Sequence, residues 1–115
     1  VDPWDMIVET KHFYDESYAG WHTLLCVIKD GKVSYYCDGR LLDTHSGDCY
    51  PQNKMAIHFN QWFIGGFTDS DRERSYVMAI DWVYHAQNVA LTPEQVEDVV
   101  QAFRSKSVTR LDTVK

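Results

Sequence analysis

A chain of 115 residues bounds the protein to one domain with a modest core, and no apolar run approaches the roughly 20 residues that a membrane span requires. The formal net charge of −6 argues against nucleic acid or an anionic membrane as partner, because both select basic surfaces. An aromatic share of 14% favours β structure and stacking surfaces over a helical bundle.

The three cysteines, Cys26, Cys37 and Cys49, are odd in number and lack CxxC spacing, which speaks against a disulfide framework or a zinc cage. Buried thiols are the simpler reading, and neither a metal nor a cofactor is expected. Val1 is not a start methionine and no signal peptide precedes it, so the chain reads as a processed or truncated piece of something longer.

In chain order, residues 1 to 5 carry Pro3 and Trp4 and are expected to be irregular, whereas Met6 to Phe13 reads as a strand. Its faces, Met6, Val8, Thr10 and His12 against Ile7, Glu9, Lys11 and Phe13, are both mixed, as on a strand that lines a cleft. Asp15 to Gly20 is a polar connection. Trp21 to Ile28 and Val33 to Cys37 are β-rich runs joined by Asp30-Gly31, the dipeptide that best accommodates the positive φ angles of a two-residue hairpin. With that loop, Lys29 faces Lys32, Ile28 meets Val33, Cys26 meets Tyr35 and Leu24 meets Cys37, giving an apolar face. Cys26 and Cys37 are then diagonal neighbours, near the outer limit for a bridge, and are expected to be reduced.

Asp38-Gly39 makes a second turn, Arg40 to Leu42 a short strand, and His45 to Asn53 a loop rich in turn formers. Lys54 to Gly66 reads as a central strand ended by paired glycines. Side-chain alternation sends Met55, Ile57 and Phe59 to one face and Ala56, His58, Asn60 and Trp62 to the other. The second face combines a flat aromatic, an amide and an imidazole, a set suited to a polar ring such as a sugar. The run from Asp69 to Arg74 is a solvated loop.

Tyr76 to Ala86, largely apolar on both faces, is expected to be a last strand inside a packed structure. The helix that follows, over residues 92 to 105, has a well-specified start. Thr92 is the N-cap, Pro93 takes the first helical position, Gln95 completes a capping box, and Val96, Val99, Val100 and Phe103 form the apolar stripe. The whole chain, residues 1 to 115, is read as a single domain.

The order of these motifs resembles the carboxyl-terminal half of family 16 glycoside hydrolases of the laminarinase and lichenase type. The residues that carry the resemblance are Trp21-His22-Thr23 opening a strand, Tyr35-Tyr36-Cys37-Asp38-Gly39-Arg40 at a Tyr-x-Asp-Gly hairpin, Phe59-Asn60-Gln61-Trp62 followed by Gly65-Gly66, and Ile80-Asp81-Trp82-Val83-Tyr84. The ending Leu91 to Val96 is similar to the tail of some bacterial members. The resemblance implies an all-β fold, an antiparallel β-sandwich forming part of a concanavalin A-like jelly roll, with one C-terminal helix. It also implies a secreted, carbohydrate-active protein.

By the same resemblance Asn60, Trp62 and His12 are candidate ligand-binding residues, and His58 joins them from the shared strand face, with a polysaccharide or oligosaccharide as partner. A core role is the alternative for Trp62, and plain hydrogen bonding the alternative for both histidines. No catalytic residue is assigned, because the family's signature strand of three carboxylates, Glu-x-Asp-x-Glu or the variant one residue longer, does not occur here. Whether the whole protein is a glycosidase is thus left open, and this chain alone is expected to be inactive. Strands apolar on both faces in so short a chain further imply a homodimer or a partner fragment. A stand-alone, non-catalytic ligand-binding or interaction module is the other reading.

Overall fold

Two Asp-Gly turns organise the sheet. The computed structural model describes residues 17–61 and 75–113. Asp30 and Gly31 take φ angles of 52° and 73°, and Asp38 and Gly39 take 50° and 81°. Positive φ at both central positions gives a turn whose twist matches that of the flanking strands, so each dipeptide closes a tight hairpin. The product is a three-stranded antiparallel sheet in the order β1-β2-β3, with β1 at Leu24–Lys29, β2 at Lys32–Cys37 and β3 at Arg40–Ser46.

The β1–β2 register is the one expected: Lys29 faces Lys32, Ile28 faces Val33, Cys26 faces Tyr35 and Leu24 faces Cys37. Strand β3 is longer than the Arg40 to Leu42 read from the sequence. It runs on until Ser46 pairs with Lys32, and only then does a short 3₁₀ turn, Gly47–Cys49, begin. Tyr36 pairs with Leu41 and Tyr35 with Asp43, which leaves Leu42 as the extra residue of a β-bulge.

Burial follows position in the sheet. Val33 and Cys37 on the central strand are 3% and 5% exposed, whereas Leu24, opposite Cys37 on the edge strand, is 74% exposed. All three cysteines are thiols rather than disulfides, and only Cys37 is fully buried.

Helix α1, Pro93–Ser105, begins as its sequence dictates. The Gln95 N–H donates to Thr92 Oγ1 at 3.2 Å, and the Thr92 N–H donates to Gln95 Oε1 at 2.9 Å, closing the capping box. Val96 and Val100 are buried and Val99 and Phe103 half-buried, so the expected stripe is the inward face. The helix is tied to the segment before it by Tyr84 against Phe103, ring centroids 6.5 Å apart, and by an ion pair between Arg104 and Asp81. No helix among the described residues is long and apolar enough to cross a membrane.

Among the described residues the architecture is therefore a small mixed one, an antiparallel sheet plus a helix, and the expected all-β sandwich is met only by that sheet. Residues 54–61 and 76–86, expected to lie in strands, pair with no other segment among the described residues. Alternation fixes which side chains share a face, but a strand exists only when a second backbone accepts its hydrogen bonds, and no described segment does so here. Met55, Ile57 and Phe59, expected as core, are accordingly exposed, as are Tyr76, Val77, Met78, Ile80 and Val83. The expected strand from Met6 to Phe13 and the charged loop lie outside the described residues, as does the Trp62 to Gly66 end of the central strand.

Candidate functional site

Of the four candidate ligand-binding residues, His58 and Asn60 are exposed in the segment that follows β3, two positions apart. Trp62 and His12 lie outside the described residues. The structure thus leaves His58 and Asn60 open to solvent.

The convergent side chains sit instead at the Asp38-Gly39 end of the sheet. Extending the β1–β2 register one step beyond Leu24 and Cys37 brings Thr23 beside Asp38, and the backbones join there through an Asp38 N–H to Thr23 carbonyl hydrogen bond of 2.9 Å. The carboxylate of Asp38 then turns back onto β1. Its Oδ1 accepts the Thr23 N–H at 2.9 Å, its Oδ2 lies 2.6 Å from His22 Nδ1, and the Cys37 thiol donates to Oδ2 at 3.8 Å. On the far side of the ring, His22 Nε2 is 3.1 Å from the Ala19 carbonyl oxygen.

With an acceptor at each nitrogen, the His22 ring is set to carry both protons. The bond to the Asp38 carboxylate, and secondarily that to the Ala19 carbonyl, holds its pKa above the ordinary 6.5. Asp38 moves the opposite way, below the ordinary 3.8, because His22 and then the Thr23 N–H both stabilise the charged carboxylate. Tyr18 adds an edge contact to the His22 ring, with centroids 6.0 Å apart.

A cleft of about 500 Å³ opens beside this cluster, between the sheet end and the start of α1. Leu25 and Val96 give it an apolar wall, and Asp38, Glu94, Glu97 and Asp98 bring four carboxylates to it. The first turn of the helix stands over the Asp38-Gly39 turn. A Cβ placed on Gly39 would lie 3.9 Å from that of Pro93. Its chemistry therefore suits a cationic or polyhydroxylated occupant rather than an anion.

A second polar group lies along the Val33 and Cys37 face. His45 Nε2 is 2.8 Å from Asp43 Oδ2, both side chains are largely buried, and the Tyr35 ring meets the His45 ring edge-on at 5.3 Å. Desolvation pushes the phenol of Tyr35 above its ordinary value, with Cys26, Asp43 and Cys49 adding to the shift. Desolvation likewise raises the thiol of Cys26.

Sequence reading placed His22, Cys37 and Asp38 in strand and turn motifs without joining them. The signal was present in the hairpin register: once Leu24 faces Cys37, Thr23 must face Asp38. The chain matches no protein-family model, no curated protein and no solved structure.

Proposed function

We propose that this chain is a carbohydrate-binding β-sandwich module, part of a concanavalin A-like jelly roll resembling the carboxyl-terminal portion of a family 16 β-glucanase. It holds a polysaccharide or oligosaccharide on the face of His58, Asn60 and Trp62, with His12 as a further contact. The observation that supports this reading best is the antiparallel meander. The Tyr35 to Arg40 motif turns through Asp38-Gly39 between β2 and β3, as the Tyr-x-Asp-Gly hairpin of that family does. Exposed His58 and Asn60 are open to a ligand, and an indole at position 62 would supply the stacking surface that sugar rings favour.

The chain binds without chemistry. Glycoside hydrolysis requires a proton donor and a second carboxylate about 5–5.5 Å away in a retaining enzyme, or farther apart in an inverting one. The binding face carries none.

Titration with laminarin and lichenan oligosaccharides, followed by tryptophan fluorescence, tests the proposal. Saturable quenching is expected, and Trp62→Ala should abolish it with an unchanged far-ultraviolet circular dichroism spectrum. Unchanged affinity in Trp62→Ala would remove that residue from the site. Release of reducing ends that disappears in Glu9→Gln would show a complete enzyme instead.

One observation favours a second reading, that of a non-catalytic interaction module. Met55, Ile57, Phe59, Val77 and Ile80 are all more than two-fifths exposed, and such surface promotes association with a second copy or a partner fragment. Absence of any glycan response together with concentration-dependent dimerisation would select it.

A further inference from the structure

We propose that His22, Cys37 and Asp38 form a three-ligand site for a divalent cation of the zinc type. One imidazole nitrogen, one thiol sulfur and one carboxylate oxygen lie within 4.8 Å of one another at the end of the sheet. Bonds of about 2.0–2.3 Å to a tetrahedral zinc ion place ligand atoms roughly 3.5 Å apart. The 3.8 Å between Cys37 Sγ and Asp38 Oδ2 is already close to that spacing. The 2.6 Å between His22 Nδ1 and Asp38 Oδ2 is the length of a shared proton, and it opens by about 1 Å when a metal ion takes that proton's place.

The surroundings are those of a metal site as well. A ligating histidine ordinarily donates its other ring N–H to a carbonyl or carboxylate, which fixes the tautomer. Here Nε2 faces the Ala19 carbonyl at 3.1 Å, leaving Nδ1 as the ligand atom. The Thr23 N–H holds Asp38 Oδ1 at 2.9 Å and so orients the second ligand. Burial of Cys37 between strands fixes the third.

Thiolate, imidazole and carboxylate together suit zinc or cobalt rather than magnesium or calcium, which take oxygen ligands alone. Asp38 also faces the cleft that Glu94, Glu97 and Asp98 line, so the local field favours a cation. Binding releases the Cys37 thiol proton and the Nδ1 proton of His22 to solvent. Exposed His22 and Asp38 leave one side of the ion to water, making a site of three protein ligands with an open fourth position. Nothing in this inference rests on glycan binding.

Cobalt(II) added to the chelator-treated full chain tests it through the thiolate-to-cobalt charge-transfer band. The band should appear, saturate at a single ion per chain, and collapse on addition of zinc. It should persist in the Cys26→Ser, Cys49→Ser double variant and vanish in Cys37→Val, which keeps an apolar β-forming side chain at that buried position. Asp38→Asn tolerates the same left-handed backbone and should weaken binding by about tenfold or more, since even an outer-shell change does as much. His22→Gln should weaken it similarly. A band that never forms, survives Cys37→Val or depends on Cys26 or Cys49 overturns the proposal.

Discussion

Replacing Thr92 by Ala removes one half of a capping box and nothing else of substance. Thr92 is exposed, so little packing is lost, and its Oγ1 is the acceptor for the Gln95 N–H. That donor is among the three at the start of α1 that the helix itself cannot satisfy, Pro93 having no N–H. Water replaces the lost partner, and the expected destabilisation is about 1 kcal/mol. For a domain slightly above 100 residues this lowers the melting temperature by about 4 °C. Thr92→Ser keeps the oxygen at the same reach and should stay within a few tenths of a kcal/mol of the parent. Because the helix start stands over the Asp38-Gly39 turn, Ala at 92 should also broaden the amide resonances of Gly39. Thermal unfolding followed at the helical dichroism band, with Ser and Ala compared side by side, is the assay. Equal destabilisation by Ser and Ala would mean that the methyl group matters rather than the hydrogen bond, and the capping account of this helix would fail.

Other perturbations address the sheet, the histidine clamp and the exposed apolar surface. Gly31→Ala places a Cβ in open space but at a φ of 73°, so the expected loss of about 1 kcal/mol is purely backbone strain, and Gly31→Asn should lose less; equal unfolding midpoints for Ala and Asn would contradict this. In metal-free protein the His22–Asp38 bond contributes fully between pH 3.8 and pH 6.5. His22, raised in the folded state, loses its contribution as pH climbs through its folded value, and Asp38, lowered, loses its own as pH falls through its folded value. An NMR titration should therefore find the His22 ring above 6.5, returning toward it in Asp38→Asn; a ring titrating at or below 6.5 in the parent chain refutes the clamp. Sedimentation velocity should show a species larger than the monomer that dissociates in Ile57→Lys, Ile80→Lys, whereas a clean monomer at high concentration would show that the exposed apolar side chains do not pair.

Local chemistry was legible from the residues themselves. The Asp30-Gly31 turn pins the β1–β2 register because two positive φ angles in a two-residue loop admit one pairing, and the observed partners follow from it. The α1 cap was equally legible, since Thr92, Pro93 and Gln95 act on one another within a single turn. What needed the tertiary structure is whatever depends on a partner far along the chain. Alternation in residues 54 to 61 and 76 to 86 carries no information about which backbone completes the ladder, and the described residues provide none. His45 and Ser46 looked like loop residues from their neighbours, but β2 offered hydrogen bonds as far as Lys32 and drew them into β3. The bulge at Leu42 likewise shows only once β2 and β3 are paired. Most plainly, His22 and Asp38 are sixteen positions apart and each looks ordinary alone; only the closing of the hairpin places an imidazole, a carboxylate and a thiol side by side, because a hydrogen-bonded register converts distance along the chain into contact across it.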